Sequence, residues 1–332
     1  MSKSPKYSVV IVNYNGGGFV QGALDSLAAQ TERDFEVILV DNASTDGSVD
    51  DLTTDKLPAF TLMRQTDNLG FAGGNNRAAS VARGRWLVLL NPDAEADPDW
   101  LVELGRGAER HPQASMFASA QFDLNDATKL DGAGDCYLGF GVPWRGGFGL
   151  PASLLPDEGA CFGPCGAGAM YDRSKFLAHA GFDERFFCFC EDVDLAFRFR
   201  LSGEICIFLP KARIDHAGGG LSGRVSDFAL FHGARNRIWT YAKNMPALLF
   251  WATLPGHLAL SALILVRGLM TGRAPETWRG MKAGVAGVGA IRSPSKWSPK
   301  RGRVRTGEIA SAMSWNILRM GRRYPDVRPL DR

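Results

Sequence analysis

The stretch Arg85-Trp86-Leu87-Val88-Leu89-Leu90-Asn91-Pro92-Asp93-Ala94-Glu95 decides how this chain folds. Its apolar core is too short for a helix of its own and reads as a buried strand of an α/β sheet. Asn91-Pro92 ends the strand, because proline has no N–H to give to a ladder. Asn91, Asp93 and Glu95 then lie just beyond its carboxyl end, the edge where open α/β sheets bind ligands. An oxygen cluster there suits a hard divalent cation carrying a diphosphate. It also suits a plain strand-end turn, since Asn, Pro and Asp all form turns.

On the amino-terminal side, Tyr7 to Asn13 and Phe35 to Val40 are β-branched runs that read as strands, and Phe60 to Arg64 as a third. Phe19 to Gln30 carries Val20, Leu24, Leu27 and Ala28 on one helical face. Ser44 or Thr45 is placed to cap a short helix, and the segment Gly70 to Arg77 leads into a further helix through Ala82. Strand and helix alternate with short links, which predicts a largely parallel, doubly wound sheet with right-handed crossovers. Residues 131–168 are glycine-rich and without periodicity, and read as loops over the sheet edge with short antiparallel strands. Glu191 to Leu201 has helical spacing, and Ile205 to Leu209 reads as a short strand.

The 332 residues are 45% hydrophobic and 22% charged, enough for a sizeable core. The net charge of +3 is unevenly placed: from Arg267 onward there are 15 Lys and Arg against 4 Asp and Glu. That asymmetry points to a polyanion at the tail. Residues 246–266 contain no charged side chain. Pro255, Gly256 and His257 in their middle predict a helix pair in a membrane interface or a re-entrant hairpin rather than a straight span. Anionic lipid fits the basic flanks better than nucleic acid, because aromatic interleaving in the tail is sparse. Met1 to Pro5 show no apolar signal segment, so the six cysteines are expected to be free in a reducing compartment. Cys161, Cys165, Cys188 and Cys190 have the wrong spacing for a zinc ribbon or finger and read as buried thiols.

Several side chains could carry chemistry. Asp41, at the tip of the second strand, can accept from a nucleobase imide or a ribose hydroxyl. A dehydrogenase puts its ribose-binding acid in a similar place, but Gly16-Gly17-Gly18-Phe19-Val20-Gln21-Gly22 is not G-x-G-x-x-G. Glu191-Asp192-Val193-Asp194 opens a helix behind the aromatic run Phe186 to Cys190. Acids there favour the helix dipole, and a carboxylate against apolar rings is also a stronger base. Asp215-His216 offers an imidazole, a common metal ligand, that could meet Asp93.

Taken in order, Ser8 to Asn15, Val40 to Gly47, Asn68 to Asn75, Leu90 to Asp93, and Gly181-Phe182-Asp183-Glu184 leading to Glu191-Asp192-Val193-Asp194-Leu195 resemble family 2 glycosyltransferases of the rhamnosyltransferase-like branch. Arg235-Asn236 and Lys243 to Pro246 look like that branch too. The resemblance implies a GT-A fold over residues 1–245, followed by a helical, basic, membrane-associating extension over 246–332. It implies inverting transfer from a nucleoside-diphosphate sugar, with rhamnose the commonest sugar of the branch, to a lipid-linked or glycan acceptor in cell-surface polysaccharide synthesis. Val12, Tyr14 and Asp41 would hold the base, and Asn68, Gly74 and Asn75 would lie near the donor. Asn91 replaces the first acid of the family's DXD motif. Asp93 and His216 would hold Mg2+ or Mn2+, Asp192 of the Glu191-Asp192 pair would be the general base, and Arg235 would add positive charge near the diphosphate. The expected location is the cytoplasmic face of the plasma membrane, with oligomeric state open. The competing readings are an NAD-dependent oxidoreductase and a non-catalytic sugar-nucleotide-binding protein.

Overall fold

The computed structural model describes residues 4–218, 226–293 and 304–330. Three parallel strands run where expected: β1 (Tyr7–Asn13), β2 (Phe35–Asp41) and β3 (Phe60–Arg64). Helices α1 (Phe19–Ala28) and α2 (Gly70–Val81) link them to one another and to β4 (Trp86–Leu90), which pairs with β1 in parallel. Apolar residues fill both faces of β1, β2 and β4, the pattern of strands covered on two sides. Residues 43–50 form turns rather than the expected short helix: the Ser44 hydroxyl accepts from Asn13 Nδ2 and the Asn15 N–H, holding this loop onto the end of β1.

The second half of the sheet is mixed. After the short β5 (Ala94–Ala96) come α3 (Trp100–Arg110), β6 (Met116–Asp123) and β7 (Asp126–Ala133). A two-stranded hairpin follows, β8 (Asp135–Leu138) with β9 (Val142–Arg145), then β10 (Gly159–Cys161), β11 (Gly168–Asp172) and α4 (Arg173–Ala178). Next are α5 (Glu191–Leu201) and β12 (Cys206–His216). The sheet order is β10-β12-β6-β11-β4-β1-β2-β3, with β11 antiparallel to both β4 and β6. The expected strand at 205–209 is therefore only the first part of an 11-residue strand. Pro210 hides its continuation. The pairing with β6 shifts register between Leu209 and Arg213, so the missing N–H falls in a bulge and the ladder resumes toward His216.

Beyond β12 lie α6 (Asp227–Asn244), α7 (Ala247–Met270) and α8 (Ala274–Ala286). Contrary to the helix pair or hairpin read from Pro255-Gly256, α7 is one uninterrupted helix of 24 residues. The Pro-Gly-His segment is where it docks. A side chain at Gly256 would collide with the Phe140 ring at 2.4 Å, and His257 stacks on Tyr241 at 4.1 Å while its Nδ1 meets the Phe140 carbonyl at 3.0 Å. The tail beyond α8 returns to the body. Ile309 and Met313 are buried in the main core, and Arg328 exchanges backbone hydrogen bonds of 2.8 Å with Ala160, covering the free edge of β10.

Candidate active site

The carboxyl ends of the adjacent strands β1, β2 and β4 place Asn13, Asp41 and Asn91 along one edge of the sheet, the candidate crevice. At its centre Asp93 and His216 are both buried, with His216 Nε2 3.2 Å from Asp93 Oδ1. The β5–β12 pairing sets this meeting, since it registers His216 against Ala94. His216 Nδ1 lies 2.7 Å from Asp131 Oδ2, and Asn91 Nδ2 lies 3.2 Å from His216 Nε2. Burial alone would lower the imidazole pKa, but Asp131 and Asp93 outweigh it and raise it. For Asp93, burial opposes ionisation, and the hydrogen bond and charge of His216 reverse the balance, so the carboxyl stays below its usual range.

This set fits a divalent cation. With the Nδ1 proton given to Asp131, the neutral ring turns its Nε2 lone pair toward Asp93 Oδ1, leaving two electron-pair donors 3.2 Å apart. A carboxylate behind the imidazole is the usual arrangement for a metal-binding histidine. Asp131 was not singled out from the sequence, because it lies in the glycine-rich region that shows no periodicity. The same holds for Arg145, which reaches Asp131 Oδ2 at 2.5 Å.

Within the field of Arg145, α5 begins with Glu191 and Asp192. Asp192 is half-buried, its Oδ2 accepting from the Gly166 N–H at 3.0 Å and its Oδ1 from the Val193 N–H at 2.8 Å. Asp135, Cys165 and Asp192 bring their ligand atoms within 4.8 Å of one another. Burial raises the Asp192 pKa despite the backbone hydrogen bonds and the Arg145 charge that act against it. Burial pushes the Cys165 thiol up to about 12, so it stays neutral. Glu191 is buried, with Oε2 lacking a hydrogen-bond partner among the described residues, and burial together with the Asp192 charge holds it well above the carboxylate range. Asp194 is accounted for by structure: it pairs with Arg198 Nε at 2.9 Å and Lys243 Nζ at 2.8 Å, and accepts from Asn244 Nδ2 at 2.7 Å.

The aromatic run before α5 is a strained strap. Phe187, Phe189 and Cys190 all have positive φ, of 66°, 71° and 63°. Such angles cost about 1–3 kcal/mol each without glycine. Two features hold them. Asn236 Nδ2 donates to the carbonyls of Phe186, Cys188 and Phe189 at 2.7–2.9 Å. Gly70, itself at φ 69°, lets the strap approach, since a Cβ there would lie 2.4 Å from the Phe187 carbonyl oxygen. Asn236→Ala is expected to lower stability by about 2–3 kcal/mol, through lost hydrogen bonds and released strain. Chemical denaturation measures this; an unchanged midpoint contradicts it.

The other sequence-selected residues are distributed along the crevice. Val12 packs against Gly74, where a Cβ would meet Val12 Cγ1 at 2.6 Å. Tyr14 is 48% exposed. Asp41 is buried and accepts from Asn13 Nδ2 at 3.3 Å. Asn68 accepts from the Gly70 N–H at 2.9 Å, turning the chain into α2. Asn75 is fully buried inside α2, its Nδ2 donating to the Phe71 carbonyl at 2.9 Å. Arg235 is drawn to the strap: it donates to the Phe186 carbonyl at 2.9 Å and lies 4.3 Å over the Trp239 ring. No described contact joins it to Asp93 or His216.

A family model for glycosyl transferase family 2 matches residues 8–177. An N-acetylglucosaminyl-diphospho-decaprenol L-rhamnosyltransferase of Mycobacterium tuberculosis is 29% identical over 291 residues, 78% of this chain and 92% of that protein. A mannosyltransferase from Pyrobaculum calidifontis, solved with GDP-Man and Mn2+, superposes with TM-score 0.53 at 20% identity and covers 88% of each chain. The S. aureus protein TarS, solved as residues 1–349 with UDP, gives TM-score 0.55 at 17% identity over 76% of this chain and 70% of that one. These likenesses give a GT-A-like fold. The chain belongs to glycosyl transferase family 2 and is a glycosyltransferase.

Proposed function

We propose that the protein transfers a sugar, with inversion, from a nucleoside-diphosphate donor to a lipid-linked acceptor. Rhamnose is the sugar favoured by the named activity of the mycobacterial relative, and a polyprenyl-diphospho-sugar is the acceptor that the same name suggests. The observation carrying the reading is that Arg145, bonded to Asp131 behind His216 and Asp93, also acts electrostatically on Asp192 and so links the two acid clusters. Asp41 and Val12 line the nucleotide end. Asp93 and His216 would hold Mg2+ or Mn2+, which when bound neutralises charge on the diphosphate. Asp192, with both oxygens oriented by backbone N–H groups, takes the proton of the acceptor hydroxyl. The acceptor oxygen bonds to the anomeric carbon as the bond to the diphosphate breaks on the opposite face. Transfer of labelled rhamnose from dTDP-rhamnose to a polyprenyl-diphospho-N-acetylglucosamine tests this. Product is expected, and transfer from none of the dTDP-, UDP- or GDP-sugars contradicts it.

The same proposal places the enzyme on the inner face of the membrane. Helix α7 is held on one side by Tyr241 and Phe140 and turns an apolar stripe outward, with Leu248, Trp251 and Met270 exposed by 72%, 69% and 83%. Arg267 is its only Lys, Arg, Asp or Glu, and Arg273, Arg279 and Lys282 follow, which suits a bilayer carrying anionic lipid. Sedimentation with phosphatidylglycerol vesicles is expected to carry the protein down and with phosphatidylcholine vesicles far less. A Trp251→Glu, Leu258→Glu variant is expected to stay in the supernatant. Equal sedimentation of the variant contradicts the assignment.

A further inference from the structure

We infer that Asp135 and Arg145 are positioning residues for Asp192, acting from the open end of the β8–β9 hairpin to set the charge of that carboxylate and tie it to the Asp131–His216 side of the crevice. This rests on reading Asp192 as the base. The hairpin registers Asp135 opposite Arg145, and the Asp135 N–H is fixed on the Gly163 carbonyl at 2.8 Å. Asp135 and Asp192 stand with Cys165 inside a 4.8 Å cluster, while Arg145 grips Asp131, the carboxylate behind His216. One guanidinium thus serves both sides of the site.

Asp192 faces Asp135 from β8, Arg145 from β9, Cys165 from the loop before β11 and Tyr171 from β11. Cys188, Cys190 and Glu191 lie on its own segment. The thiols and the phenol are held neutral by burial, so the interaction that counts is between carboxylates and the arginine. Two carboxylates this close in a buried setting resist ionising together, and the pair keeps one proton to higher pH than either would alone. Burial, then the Asp192 charge, holds Asp135 well above the carboxylate range, and Arg145 opposes both effects. Asp192 thereby gains basicity. Asp135 touches no reacting atom in this scheme, so its role is to position and tune.

The test is a double-mutant cycle on the full-length protein without ligand: Asp135→Asn, Asp192→Asn and the two combined, melted from about pH 5 to about pH 8. Carboxyls with raised folded-state pKa bind more protons folded than unfolded, so they cost stability increasingly as pH rises above the unfolded value. Each single variant is expected to melt above wild type at about pH 8, by about 2–4 °C, with the gain shrinking toward about pH 5. The double variant should gain less than the sum, because either substitution already relieves the other carboxylate. Arg145→Lys should melt near wild type and Arg145→Met below it, most of all at high pH. In turnover, Asp135→Asn should shift the acid limb of kcat/KM to lower pH while the plateau persists. Additive gains, or an Asp135→Asn variant whose melting difference from wild type does not vary with pH, overturn the inference. An active Asp192→Asn variant that still shows the coupled cycle instead overturns the base assignment.

Discussion

Asp192→Asn is expected to lower sugar transfer by about 10²–10⁴-fold, the usual contribution of a positioned general base, while donor binding is unchanged. The side chain is nearly isosteric, and its two anchors are backbone N–H groups of Gly166 and Val193. Asparagine can keep one of these bonds and cannot accept the acceptor's proton. Asp41 and Val12, proposed to hold the nucleotide, belong to other strands and are not disturbed. Turnover measured beside equilibrium donor binding separates the two effects. A variant that transfers at the wild-type rate removes Asp192 from the mechanism.

Asp93→Ala is expected to act on the other half of the reaction. It removes the carboxylate that faces His216 Nε2 at 3.2 Å and leaves the imidazole alone of the two electron-pair donors. Losing preorganised charge stabilisation at a leaving group commonly costs about 10²–10³-fold in turnover. Donor affinity should also lose its dependence on Mn2+, which distinguishes this variant from Asp192→Asn. Calorimetric titration of donor with and without Mn2+ is the check. A variant whose donor binding is still strengthened by Mn2+ contradicts the role of Asp93.

Half of this arrangement was visible in the amino-acid order, and the reasons are local. The runs at Tyr7, Phe35 and Trp86 are strands buried at every position but Val12, so β-branched and apolar residues had to be continuous there. Proline after Asn91 marks the strand end, which puts Asp93 in the crevice by topology alone. The hairpin bearing Asp135 and Arg145 was hidden because its strands are four residues each and lie among glycines, too short to show a period. Helix α3 was missed for a related reason, since Gly105 and Gly107 lower its propensity. Asp194 shows the opposite limit. Sequence spacing cannot tell a carboxylate buried against Arg198 and Lys243 from one that faces a substrate. Pro255 looked like a break because its backbone effect is local, whereas the packing of Gly256 and His257 against Phe140 and Tyr241 is not.

The central claim is that this crevice binds a nucleoside-diphosphate sugar with the help of a divalent cation at Asp93 and His216. A thermal-shift panel of the purified protein tests it most directly: dTDP-, UDP- and GDP-sugars and NAD(H), each with and without Mn2+, since a ligand selective for the native state raises its melting temperature. Stabilisation by one nucleotide-sugar is expected, larger with Mn2+ and with that increment lost in Asp93→Ala. Stabilisation by NAD(H) alone, indifferent to Mn2+, would contradict it.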